Sequence, residues 1–212
     1  MKKKFYILLF AMLISFGVSA QRFEYQLGLK GALGFDWPSV DMDDLGSKEN
    51  GFCYKYGFTG IYYFGENYGI TSGFNIMGNR FAYNYKVEEP VNTTRDIVEY
   101  KVNHKLTYFQ IPLLLKMRTD SFANTFRVLG EIGYGMDIRV NGECKVNNVK
   151  IDNPYRDVCS SFIVHLGVEM EVMSRSTLQF IIAYDTFFTN IQTMSNDKLT
   201  ASNLCFELGF LF

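Results

Sequence analysis

From residue 23 onward the chain alternates strictly. Phe23, Tyr25, Leu27, Leu29, Gly31, Leu33 and Phe35 fall on one side of an extended backbone, and Glu24, Gln26, Gly28, Lys30, Ala32, Gly34 and Asp36 on the other. Successive side chains of a strand point to opposite faces, so all the charge of this segment lies on one face. The period returns seven times. The apolar face carries Phe52, Tyr54, Tyr56, Phe58, Tyr62 and Phe64, then Tyr68, Ile70, Phe74 and Ile76. Next come Phe109, Ile111, Leu113, Leu115 and Met117, and then Phe126, Val128, Ile132, Tyr134, Met136 and Ile138. Three further sets follow: Phe162 to Val172, Leu178 to Phe188, and Leu204, Phe206, Leu208, Phe210 and Phe212. None of these apolar faces holds a charge. The opposite faces hold Glu24, Lys30, Lys55, Gln110, Lys116, Arg127, Glu131, Asp137, His165, Glu169, Gln179, Asp185 and Glu207.

A charge-free aromatic face opposite a charged one suits a sheet with lipid outside and a polar interior. In a soluble sandwich the outer face would be the polar one. The eight segments are joined by connections that alternate long (37–51, 81–103, 140–157, 189–201) and short (65–67, 118–124, 173–175). The expected fold is therefore all-β, an eight-stranded antiparallel transmembrane β-barrel with both termini on the periplasmic side. Beyond the first 20 residues no apolar run approaches the ~20 residues of a spanning helix, and only a closed sheet otherwise satisfies its backbone in lipid. Composition agrees. Of 212 residues 17% are aromatic, with 20 Phe and 14 Tyr, and Pro occurs only four times. Aromatics favour strands and Pro breaks them.

The first 20 residues read as a cleaved signal peptide: Lys2, Lys3 and Lys4, an apolar stretch, then Val18, Ser19 and Ala20 before Gln21. Residues 21–212 form one barrel domain in this reading. The ending on Phe210 and Phe212 suits a C-terminal assembly signal read by the barrel assembly machinery. Outer-membrane lipid is the other expected partner. A net charge of −1 gives no reason to expect nucleic acid.

One strand reads Tyr108-Phe109-Gln110-Ile111-Pro112-Leu113-Leu114-Leu115-Lys116. It resembles the signature strand of the PorT-like outer-membrane β-barrel family of Bacteroidetes, although Gln110 stands where that family more often has Glu. Gly69 to Phe74, Ala183-Tyr184-Asp185 with Thr189-Asn190-Ile191, and Ser19-Ala20-Gln21 fit the same resemblance. The resemblance implies the barrel fold. It also suggests, as a subcase, an accessory role in type IX-like protein secretion. Pro112 lacks an N–H, so a bulge or ladder defect is expected there, with its ring on the lumen side.

An eight-stranded barrel is just wide enough for its own side chains. Lys30, Gln110, Lys116, Arg127, Glu131, His165, Glu169, Asp185 and Glu207 are therefore expected to form a packed network that closes the lumen. A small-solute pore is one alternative. An outer-rim lipid or peptide hydrolase is another, but neither His104 nor His165 comes with a nucleophile motif. The first long connection carries Asp41, Asp43 and Asp44; the Asp41-x-Asp43 spacing hints at calcium, yet Leu45 and Phe52 break the EF-hand pattern. No catalytic set, metal or cofactor is expected. Cys144 and Cys159 bracket the third long connection and are the expected disulfide. Cys53 and Cys205 face inward on strands separated by one other, a span of ~9.6 Å against a limit of ~7 Å, and their state stays open. The expected function is a non-enzymatic, structural or loop-displaying barrel, its outside loops offered to an envelope or secretion protein. The long connection 81–103, with its mixed charges and Tyr83, Tyr85 and Tyr100, is the expected contact surface.

Overall fold

The structure, a computed structural model, describes residues 24–41, 45–91, 94–122, 125–151, 155–173, 176–193 and 198–212. The proposed signal peptide lies outside them. Among the described residues ten strands form one sheet: β1 (Glu24–Asp41), β2 (Leu45–Glu49), β3 (Gly51–Tyr63), β4 (Tyr68–Val91), β5 (Thr94–Arg118), β6 (Phe126–Val146), β7 (Val149–Ile151), β8 (Val158–Met173), β9 (Ser176–Phe187) and β10 (Lys198–Leu211). Eight of them close a ring in the order β4-β3-β1-β10-β9-β8-β6-β5, with β5 returning to β4. Every ring pairing is antiparallel. The seam joins the first described strand to the last, with Gly28 opposite Leu211 and Asp41 opposite Lys198. The expected eight strands are the ring. The extra two lie outside it, β2 on β4 and β7 on β6.

The alternation decides which way each side chain points. Leu33, Phe35, Tyr56, Leu113, Leu166 and Phe206 are exposed on the outside. Lys30, Lys55, Gln110, Lys116, Glu131, His165, Glu169, Asp185 and Glu207 are buried inside. Pro112 faces the lumen and keeps its place opposite Gly135 of β6. On its other side the ladder with β4 is interrupted, because Ser72 pairs with Leu113 and Asn75 with Gln110 but nothing pairs between them. Ser72 Oγ donates to the Pro112 carbonyl across this gap (2.9 Å). Gly73 sits in the same gap at φ 153°, where a Cβ would lie 2.1 Å from the Phe58 carbonyl oxygen. The defect thus follows from a missing donor, and glycine fits the backbone opposite it.

One expectation fails. Three of the four long connections, 37–51, 81–103 and 140–157, are mostly strand. Residues 81–103 were expected as a polar loop, but β4 and β5 stay paired out to Val91 and Thr94. β6 runs on to Val146 and turns into β7 through Asn147 and Asn148, both at positive φ. Such a pair of residues makes the tight turn that matches strand twist. Alternation does not stop where the apolar outer face stops; it continues with the opposite polarity. Phe81, Tyr83, Val102, Leu106 and Tyr108 are buried, while Arg80, Lys101 and Lys105 are exposed. The end of the barrel that carries this β4–β5 hairpin is called distal below. The short turns, the start of β1 and the end of β10 lie at the other, proximal end.

Candidate functional site

The interior is layered. At the proximal end Ile61, Tyr63 and Leu211 pack together as an apolar floor. Above it lies the polar network. Lys116 Nζ reaches Glu169 Oε1 (2.5 Å) and Glu131 Oε1 (3.5 Å). Glu131 also accepts from Thr71 Oγ1 (2.8 Å) and meets His165 Nδ1 (2.8 Å). His165 Nε2 faces Asp185 (4.0 Å), which binds Lys55 Nζ (2.5 Å). Gln110 donates to Asp185 (3.4 Å) and accepts from Asn75 (3.0 Å). Gln179 donates to Glu169 (2.6 Å), and Lys30 pairs with Glu207 (3.3 Å). Arg118 closes the floor side, 3.8 Å from Glu169 and with its guanidinium 3.9 Å from the Tyr63 ring centre.

Lys30, Lys55, Lys116 and Arg118 thereby face Glu131, Glu169, Asp185 and Glu207, while two further buried carboxyls, Asp36 and Asp137, pair with none of these cations. Taking such charges out of water is tolerable only when each is paired and hydrogen-bonded. Eight of the nine residues expected in the lumen come together. Arg127 does not. It lies at the proximal rim, part-exposed, and pairs there with the exposed Glu171 (3.2 Å). Its place is taken by Arg118, which the sequence reading had assigned to a turn. The parity that sets Gln110, Pro112 and Lys116 inward also sets Arg118 inward, so the signal was present.

Over the network lies an apolar cap. Val40, Met77, Phe81, Tyr83, Val102, Leu106, Tyr108, Phe187, Ile191 and Leu199 form one buried cluster. Tyr108 stacks at a tilt on Phe187, ring centres 5.3 Å apart. His104 is held inside this cap. It stacks between Phe81 (5.0 Å) and Tyr83 (5.3 Å), and its Nδ1 lies 2.7 Å from the Tyr155 hydroxyl. Burial pushes its pKa from 6.5 down to about 4. Both histidines are thus engaged in packing, one with aromatic rings and one with carboxylates. Among the described residues no group of three or more His, Cys, Asp or Glu could hold a metal ion. Asp43 and Asp44 lie outside the described residues.

The expected bond between Cys144 and Cys159 is not formed; both thiols are free and buried. Cys159 sits opposite Asp137 of β6, whereas Cys144 is on β6 itself, opposite His104 and Ile151. Seven residues of strand at ~3.3 Å each separate Asp137 from Cys144, far beyond the ~7 Å a disulfide spans. Bracketing the same connection had suggested proximity, but β6 runs on as strand and carries Cys144 away. Cys53 and Cys205 are free and buried too, but they differ in their separation. Across the intervening strand their Sγ atoms approach to 2.9 Å.

A family model described as "Outer membrane protein beta-barrel domain" matches residues 8–212. No curated protein matches the chain. Solved structures similar to it include Ail, the attachment invasion locus protein of Yersinia pestis. It is 12% identical, with 89% of this chain and 99% of that one covered and a TM-score of 0.41. Neisserial surface protein A (NspA) is 10% identical, with 88% and 97% covered and a TM-score of 0.48. OprG from Pseudomonas aeruginosa is 11% identical, with 89% and 95% covered and a TM-score of 0.42.

Proposed function

We propose, for a chain that belongs to the outer membrane protein beta-barrel domain family, a non-enzymatic, non-conducting barrel that displays its distal sheet to a protein partner. The observation that carries this reading is the β4–β5 hairpin. Beyond the gap at Gly73 it stays paired from Asn75 opposite Gln110 to Val91 opposite Thr94. From Phe109, near the end of the apolar outer face, to Thr94 is roughly 50 Å of strand at ~3.3 Å per residue. β2 backs β4 at Ala82, Tyr83 and Tyr85, and β6 backs β5 as far as Val102, which stiffens the base of the hairpin; from Lys86 opposite Glu99 outward the two strands pair only with each other. Exposed Lys101 and Glu49 pair on its surface (2.6 Å).

The paired charges between an apolar floor and an apolar cap support a closed lumen. In this reading both termini are periplasmic, the distal end faces outward, and residues 1–20 are a removed signal peptide. The barrel assembly machinery inserts the chain, reading the end at Phe210 and Phe212. The finer placement among PorT-like barrels of Bacteroidetes rests on the strand Tyr108 to Lys116, and the accessory role in type IX-like secretion rests on that placement.

The test is a gene deletion complemented with either the full chain or a chain whose hairpin is shortened by replacing 86–99 with a two-residue turn. Export of envelope cargo falls in the deletion strain. The full chain restores it, and the shortened chain does not, although its barrel still assembles. Normal export in the deletion strain ends the secretion reading. Full rescue by the shortened chain ends the display reading. Steady single-channel conductance through purified wild type ends the closed-lumen reading.

A further inference from the structure

The barrel closes where β1 meets β10, and this seam joins the first described strand to the last. Gly34 lies in the middle of β1. It is opposite Cys205 on the β10 side and opposite Cys53 on the β3 side. Both cysteines face the lumen and are buried. Glycine between them leaves no side chain to keep them apart, and a Cβ there would lie 2.6 Å from the Cys205 Cα. The curvature of a narrow barrel turns inward-pointing side chains toward one another. The two Sγ atoms accordingly meet at 2.9 Å, with Cys53 Sγ also 3.5 Å from the Phe35 carbonyl oxygen. That separation exceeds an S–S bond of ~2.04 Å by under about 1 Å. The flat-sheet span of two strand spacings argues against this pair; curvature and Gly34 bring the two sulfur atoms far closer than that span.

We propose that Cys53 and Cys205 form a disulfide that staples the closing seam, clasping β1 between β3 and β10. Exported proteins meet an oxidising compartment, where thiol pairs of this kind persist as disulfides. Each thiol gives up its proton, the two together give up two electrons, and the Sγ–Sγ bond forms. By exchange through a mixed disulfide the electrons pass to the oxidised dithiol of an envelope thiol–disulfide oxidoreductase, whose own S–S bond becomes two thiols. The exchange takes place on the periplasmic chain before the lumen closes, since the floor and the cap bury both thiols afterwards. The two residues are 152 positions apart, so the bond removes a large part of the freedom of the unassembled chain. It also brings the last strand to the first hairpin before the seam zips.

The experiment uses protein extracted from outer membranes with a maleimide present from lysis onward. The protein is unfolded, alkylated without reductant, digested and weighed. The expected result is a peptide pair linked through Cys53 and Cys205, lighter by two hydrogen atoms than the two separate peptides, with Cys144 and Cys159 alkylated. After reduction all four cysteines take label. Alkylation of Cys53 and Cys205 in the unreduced sample overturns the proposal, and so does linkage of either to Cys144 or Cys159. The heat needed to open the barrel in detergent gives a second readout. C53S, C205S and the double variant lower that midpoint by the same amount, and wild type refolded under reductant matches them. A double variant that loses as much as the two single losses added together would mean two separate packing effects and would overturn the staple.

Discussion

The proximal and distal halves of this barrel are built on the same alternation with opposite polarity. In the proximal half Leu113 and Leu115 face out, and Gln110 and Lys116 face in. Six residues along the same strand β5, Lys105 and Thr107 face out, and Leu106 and Tyr108 face in. The parity never changes, yet the polarity inverts between Tyr108 and Phe109. What surrounds the strand explains the inversion. Lipid accepts only apolar side chains outside, which leaves the polar ones for the interior. Above the lipid, water takes the polar face and the apolar face gathers into an ordinary hydrophobic core. The two halves therefore resist disruption by different physics: paired charges in one, buried hydrocarbon in the other.

The comparison breaks most visibly at Lys116. Its ammonium is fully buried between Glu131 and Glu169. Lys116→Ala leaves two carboxylates in a dry interior and should cost ~3–5 kcal/mol. The heat-modifiability midpoint of the barrel should drop accordingly. Lys101→Ala, which removes an equal charge from the exposed pair with Glu49, should change it by under about 1 kcal/mol. Equal losses would mean that the lumen is wet.

The outer face gives the next largest contrast. Leu113→Arg puts a charge into lipid near the midplane, at a cost of ~2–4 kcal/mol. Val140 is as exposed as Leu113 but lies beyond the apolar face, at the bulge where β6 slips against β5. Val140→Arg should cost under about 1 kcal/mol. Urea titration in lipid vesicles would read both. A similar penalty at both sites would put the membrane boundary further out than the polarity inversion suggests.

The cap should respond to acid while the lower barrel holds. His104 is neutral in the folded cap, with a pKa of about 4 against 6.5 when free. Between those values the unfolded state binds more protons, so stability rises with pH across the window and is lost as pH falls through it. At pH 5 the loss is about 2 kcal/mol, and it grows until pH 4. Amide exchange in β4 and β5 above Tyr108 should speed up from pH 6.5 downward. His104→Phe should remove that dependence. An unchanged pH profile in that variant would assign the effect to another group.

Fold and lumen were legible in the sequence because both depend on parity, and parity holds along the apolar-faced part of each strand; the bulge at Val140, where it shifts on β6, lies beyond that part. The strand count, the outward face of Leu113 and the inward face of Pro112 all follow from counting by two. Distances between residues on different strands do not. Cys144 and Cys159 are fifteen positions apart, yet one strand carries them to different heights. Cys53 and Cys205 look too far apart on a flat sheet, and only curvature over Gly34 brings them together. The extended β4–β5 hairpin was hidden for a different reason. Its apolar residues sit on the face that, lower down, holds the charges, so a search for a lipid-facing stripe ends at Phe109.

Arg127 gives the smallest expected effect and sharpens the contrast with Lys116. By parity it points inward, and it stands opposite Glu169 on β8. A sequence reading therefore places it in the buried network. Arg127 lies at the last turn of the barrel, however, and its guanidinium swings to Glu171, which is about half exposed. Water reaches the part-exposed arginine and the half-exposed glutamate there, so their attraction is screened and the arginine forfeits little when it loses its partner. Glu169 does not depend on it, being held by Lys116, Gln179 and Arg118. Arg127→Ala should thus cost under about 1 kcal/mol. Arg118→Ala should cost more, because it uncovers Glu169 and strips the cation from the Tyr63 ring. Heat-modifiability midpoints of the two variants, measured side by side, test the order. A larger loss at Arg127 than at Arg118 would place the dry boundary of the lumen at the rim, one residue pair further out than the side-chain geometry puts it.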